Sequence, residues 1–332
     1  MIVVKPEIEY IKNKELRCRN IISVFSQILI AVALYVVCYH LFYRQSIGGP
    51  GNYQSDLPLH ISAGIKGESY SFLIKLVGII ATNVGNEGVA AFESGMVVLT
   101  WYFAKRLIDR ISGFQSVISI YASLGLIFLT NIHLSIFDYY YSERVVSQPW
   151  HNITYIGMRL FAVLTIGCFI DLYKNYMSKI LWKNYCFVLF FLLISACVKP
   201  NFFISFSAAL LVALIVDFIK HEKTIENLRK YFIIGSVVFP SCAVLFIQSR
   251  VLYPSGFAGG NATDSGIQLV WFADFFNIGI GKGILKIFLC LSFPAIVFIV
   301  NKGGDTASRF VGLFFLVSQT SQFLNYLTHC FI

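Results

Sequence analysis

Charge is scarce in this chain. Only 13% of its 332 residues are Asp, Glu, Lys or Arg, against 57% hydrophobic ones, and the mean hydropathy is +0.72. A soluble domain needs a polar surface that this composition cannot supply. Also missing are a Walker-type phosphate loop, a dinucleotide-binding glycine fingerprint and a metal-ligand cluster, which disfavours an ATP-driven pump. Eight cysteines are present, but none falls in a candidate external loop. Cys38, Cys168, Cys186, Cys197, Cys242 and Cys290 lie inside apolar segments, Cys18 precedes the first, and Cys330 follows the last. A disulfide framework is therefore not expected. Nor does the N-terminal region carry a small-residue cleavage site, so the first apolar run reads as a signal-anchor helix that stays.

What the chain has instead is long apolar runs. A stretch such as 21–43 is long enough to cross ~30 Å of hydrocarbon as a helix. Open sheets are excluded, because lipid cannot satisfy their unpaired backbone groups. The expected fold is all-α: a polytopic transmembrane bundle forming a single integral-membrane domain over 1–332. About nine spans are predicted, at 21–43, 88–104, 114–135, 153–173, 184–198, 201–219, 231–249, 284–301 and 309–329. The stretches 70–84 and 267–281 are too short to cross comfortably and contain Lys75 and Asp274. Each suits an interfacial helix or a re-entrant segment on the non-cytoplasmic face.

The net charge of +9 raises nucleic acid as a partner, but the basic residues cluster at segment ends, as membrane topology requires, and no nucleic-acid partner is expected. With the N-terminus in the cytoplasm, most of the 26 basic residues fall on the cytoplasmic side. If 70–84 spanned as a separate helix, every later loop would change sides and the excess would reverse. The positive-inside rule selects the first layout. The longer, more polar connections 44–87, 136–152 and 250–283 then open on the non-cytoplasmic face, where recognition or catalysis is expected. The connection 44–87 is the first external loop, carrying an interfacial helix.

Three groups of residues there suit chemistry. Asp56 and His60 share one side of any short helix formed after Pro58. A carboxylate near an apolar boundary suits a general base; the plainer alternative is a solvated loop Asp. Next come Asp138, with Tyr139 to Tyr141 and Glu143, and Trp150, His151 and Asn152. Aromatic rings at a helix end ordinarily form an interfacial belt, yet interleaved with polar side chains they also suit a sugar site. Last are Arg159, inside the fourth span, and Lys199, before Pro200. Cations at membrane depth face a partner or a cavity, or snorkel, and a phosphate headgroup is a natural partner. Glu87, Glu93 and Asp274 are weaker candidates. Asp171 and Asp217, beside Lys174 and Lys220, read as interfacial, and the sequons at Asn152 and Asn261 as chance matches.

An Asp in the first external loop of a multi-helix membrane protein, followed by an amphipathic stretch, resembles the GT-C superfamily of integral-membrane glycosyltransferases. Locally, Ser147-Gln148-Pro149-Trp150-His151-Asn152-Ile153-Thr154-Tyr155 and Cys197-Val198-Lys199-Pro200-Asn201-Phe202 are similar to stretches of bacterial members of that group. Those often read Pro-Trp-His-Asn-Pro-Thr and Lys-Pro-Ser-Phe; Ile153 and Asn201 depart from the pattern. The resemblance implies residence in the bacterial cytoplasmic membrane and a polyprenyl-phosphate-type sugar donor used on the outer face. It implies a glycan, lipid or protein acceptor, with Asp56 as catalytic base. Arg159 or Lys199, with His151, would stabilise the departing phosphate, and His60, Asp138, Trp150 and Asn152 would bind substrate. No redox cofactor is required, and a divalent cation is compatible. The rival classes are a transporter or lipid flippase, a glycan polymerase of another membrane fold, and a non-catalytic membrane scaffold.

Overall fold

A computed structural model describes residues 6–49, 55–69, 71–112, 116–128 and 152–251. All regular structure among them is helical: α1 (Pro6–Ile47), α2 (Leu57–Lys66), α3 (Phe72–Ser112), α4 (Ser116–Phe128), α5 (Ile153–Asn175), α6 (Trp182–Val198), α7 (Asn201–Lys220), α8 (Ile225–Gly235) and α9 (Phe239–Val251). Five stretches are long and apolar enough to cross a membrane: Ile21–Ile47, Phe72–Ile111, Ile153–Asn175, Asn201–Lys220 and Ile225–Gln248. The chain is an integral membrane protein. Its outer surface fits lipid: Ile21, Phe25, Ile28, Val32 and Val36 are all exposed along one stripe of α1, a patch that would drive aggregation in water. The expected spans beyond 251 lie outside the described residues.

Helix ends follow from local chemistry. The Asn152 side chain caps α5, its Oδ1 accepting from the Thr154 amide at 2.9 Å and the Thr154 hydroxyl at 2.6 Å. Thr224 caps α8 by accepting from the Asn227 amide at 3.2 Å. Between α6 and α7 stands Lys199-Pro200. The proline ring bars the preceding residue from helical angles, and Lys199 is extended, at φ −161° and ψ 125°. The expected span 231–249 is divided into α8, a 3-10 turn (Ser236–Val238) and α9. Pro240, in the first turn of α9, has no N–H to offer the carbonyls before it.

The stretches 70–84 and 88–104, expected to be distinct elements, are two helical arms of α3 that meet at a kink at Gly85. Gly85 sits at φ +80° and ψ −167°, where an L side chain is strained. A straight helix of this length would reach about 60 Å, twice the hydrocarbon thickness. The break leaves a first arm of about 20 Å and a second of about 40 Å, and the second alone suffices to cross.

Two apolar cores hold the helices together. One joins α1, α2, α3 and α4 to the start of α5, with Phe42, Val77 and Trp101 at its centre. The other joins the second half of α5 to α6, α7 and α8 around Phe169, Leu192 and Phe206. Helix α5 is common to both. At the first core, α2 folds back on the first arm of α3 with Gly64 against Gly78. A Cβ on Gly64 would meet the Ile74 carbonyl oxygen, and one on Gly78 would meet the Gly64 backbone. Backbone cannot yield as a side-chain tip does. Gly78→Val is therefore expected to destabilise the protein by about 3 kcal/mol, the upper range for overpacking. Gly95→Ala, with open space around its Cβ, should leave the melting temperature in detergent unchanged or raised. Equal melting temperatures for Gly78→Val and the parent chain would refute this crossing.

Candidate functional site

The first turn of α2, the start of α3, the start of α5 and the α6–α7 break meet at one end of the bundle. The Ser71 hydroxyl, just before α3, donates to the Val198 carbonyl at 3.0 Å in a buried contact. This ties the α2–α3 connection to the break that carries Lys199.

Asp56 occupies the N-cap of α2. Its carbonyl accepts from the His60 amide at 3.0 Å, so the short helix considered from the spacing does form, with Pro58 in its first turn. The Asp56 carboxylate makes no capping bond. The Ser55 hydroxyl oxygen takes the Leu57 amide instead, at 3.1 Å. The carboxylate is thus not consumed by the helix it starts.

Lys199 is the second candidate group. Its ammonium lies 3.5 Å from the centroid of the Tyr155 ring, a close cation–π contact. Burial lowers the Lys199 ammonium from 10.5 to about 8, and the nearby Asp56 carboxylate opposes that shift. Asp56 and Lys199, far apart in sequence, are therefore electrostatic neighbours. Arg159 lies one helical turn beyond Tyr155 on α5 and is half-buried. The two cations flank the tyrosine ring along the helix, one at its entry and one deeper.

Of the residues singled out from sequence, Asp56, His60, Asn152, Arg159 and Lys199 are described. Asp138, Trp150 and His151 lie outside the described residues. The Asn152 oxygen is engaged in capping α5, which also accounts for the Asn152-Ile153-Thr154 pattern without glycosylation. Tyr155 was not singled out as a functional residue. Its signal was the four-residue step to Arg159, hidden because an aromatic at a helix start reads as interfacial belt. Among the described residues, no three of His, Cys, Asp and Glu cluster so as to hold a metal.

A second polar cluster occupies the opposite end. Asp171 pairs with Arg110 at 2.8 Å rather than with its sequence neighbour Lys174. Asp217 accepts from the Tyr173 and Tyr176 hydroxyls at 2.7 and 2.6 Å rather than facing Lys220. Burial, reinforced by Asp217, holds the Tyr176 phenol above its ordinary range. Lys230 donates to the Met177 carbonyl at 2.7 Å and ties α8 to the end of α5.

Comparison with known protein families, with curated proteins and with solved structures finds no match for the chain. The site is therefore interpreted on its own chemistry. One property is directly measurable. Competitive amine labelling of the full-length protein should place the Lys199 midpoint near pH 8. Asp56→Asn removes the charge that supports the ammonium and should move the midpoint lower still. A Lys199 midpoint at the ordinary value, unmoved by Asp56→Asn, would dismantle the proposed neighbourhood.

Proposed function

We propose that the chain is a membrane glycosyltransferase of GT-C type, moving a sugar from a polyprenyl-phosphate-type donor to an acceptor on the non-cytoplasmic face. The observation that carries this reading is a Lys199 ammonium at a helix break, stacked on Tyr155 and within electrostatic reach of the Asp56 carboxylate, with Arg159 one turn further along α5. A lipid-linked donor presents its anomeric carbon and phosphate at the membrane boundary, where a base and a phosphate-binding cation are both needed.

In this reading the acceptor hydroxyl gives its proton to Asp56 as its oxygen attacks the anomeric carbon. The carbon–oxygen bond to the phosphate breaks, and its electron pair leaves with the phosphate. Lys199 and Arg159 meet that charge, Arg159 with a planar fork suited to phosphate oxygens. In this reading His60, one turn after Asp56, would bind the acceptor. The orientation rests on charge: Lys105, Arg106, Arg110, Lys174, Lys179, Lys183, Lys220, Lys223, Arg229 and Lys230 all belong to the helix ends opposite Asp56. Such an excess belongs in the cytoplasm, which turns Asp56 outward and keeps the N-terminus inside.

The second reading, a transporter or lipid flippase, is favoured by Glu93, which is only 1% exposed within α3. It requires movement of a lipid-linked sugar across vesicles without any acceptor.

The deciding assay follows transfer of a labelled sugar from a polyprenyl-phosphate donor by the purified full-length protein. Asp56→Asn should lower turnover at least ~100-fold at equal protein level, the lower range for a lost general base. The parent activity should fall as pH rises past about 8, because Lys199 then loses the proton that makes it a phosphate partner. Lys199→Arg should hold activity to higher pH. Full transfer by Asp56→Asn would reject it as the base.

A further inference from the structure

A cleft of about 590 Å³ separates the last turns of α3 from the second half of α5, at the end of the bundle opposite Asp56. We propose that it binds one molecule of anionic phospholipid from the leaflet on that side. This does not rest on the transferase reading, and it concerns residues that reading leaves unused.

The cleft has two kinds of wall. Phe103 and Leu107 of α3 face Val163 and Leu164 of α5, which makes the inner part apolar. The rim is ionic. Arg110 donates to Asp171 at 2.8 Å and to the Gly167 carbonyl, and so joins α3 to α5 across the cleft. Lys105, itself buried, pairs with Asp109 at 2.7 Å. Each rim carboxylate therefore already has its cation. Arg106 is the surplus charge: the lining carries Arg106 and Arg110 with Asp109 and Asp171, and Lys105, buried behind the lining, already compensates Asp109. Arg106 is exposed, with its guanidinium 5.9 Å from the Tyr102 ring centroid, a posture that holds the charge near the membrane boundary.

An occupant that satisfies both parts needs an apolar tail for the walls and a net negative head for Arg106. A free anion leaves the apolar walls wet. A zwitterionic lipid brings a cation to a rim already in positive excess. An apolar peptide segment leaves Arg106 without a counter-charge. A phosphodiester headgroup with net negative charge meets every requirement, since guanidinium and phosphate oxygens match in geometry. Basic pockets between membrane helices recognise anionic headgroups by these contacts.

The test uses the full-length protein, delipidated in detergent and titrated with phosphatidylglycerol or phosphatidylcholine under native mass spectrometry. Phosphatidylglycerol should be retained about fivefold more than phosphatidylcholine, and Arg106→Gln should remove that preference, the effect of one surface cation. Arg44→Gln, at the other end of the bundle, should not. Leu164→Trp, which fills the apolar part, should lower retention of both lipids. A phosphatidylglycerol carrying a photoreactive acyl chain should label 103–110 and 163–171 in the parent protein, a readout that does not depend on any variant folding. Equal retention of the two lipids, labelling confined to other helices, or displacement of phosphatidylglycerol by equimolar inorganic phosphate would each overturn the proposal.

Discussion

Hydrocarbon offers a peptide group no alternative hydrogen-bond partner, so a chain that crosses it can leave the helical state only where something else supplies one. Among the described residues, four departures have a nameable cause: the Asp56 N-cap, Gly85, the Lys199-Pro200 step and the turn before Pro240. The first and third of these converge on the same end of the bundle. At both, backbone that has left the helix brings a charged side chain to the membrane boundary. The candidate site is thus a consequence of where the helices stop as much as of which residues it contains.

That constraint also explains how the two ends differ. At the Asp56 end Lys199 is supported by a tyrosine ring and a nearby carboxylate, and its proton is loosened by burial. At the opposite end, charges are numerous and paired or bonded, Arg110 to Asp171, Lys105 to Asp109 and Asp217 to two tyrosines. Exposed pairs of this kind contribute little stability singly. Their effect is to fix which helices meet, since Arg110 bonds two separate acceptors on α5 and Lys230 reaches a carbonyl just past its end. Those contacts hold the helices of that end to one another.

Much of the helical framework was legible in sequence, for reasons that can be named. The expected spans 153–173, 184–198 and 201–219 lie within a few residues of α5, α6 and α7, because Asn152 and Pro200 are local signals that act whatever surrounds them. The connection after α1 was less legible. The apolar stretches 70–84 and 88–104 read as two elements, and they are the two arms of α3 on either side of the Gly85 kink. Sequence showed the interruption in hydrophobicity but not that a single residue forms it. The expected span 231–249 falls within one membrane-length stretch, Ile225–Gln248, and the 3-10 turn inside it was not foreseen although Pro240 gave a reason for it. Asp138, Trp150 and His151 fall where no structural comparison can be made.

Partnerships were the least legible, because they depend on which helix faces which. Asp171 has a lysine three residues away and pairs instead with an arginine of another helix. Lys199 read as a snorkelling or phosphate-binding cation, and nothing local pointed to Tyr155 beneath it or Asp56 beside it. These contacts depend on α5 being shared between two apolar cores. Its first turns pack towards α3 and α6 near the break, while its last turns stand off from α3 to leave the cleft. The same helix therefore sets the spacing at both ends. A small rotation of α5 would displace Tyr155 from under Lys199 and Asp171 from Arg110 together. The Arg110 bonds near its end and the Lys199 contact at Tyr155 near its start thus hold one and the same helix at two places.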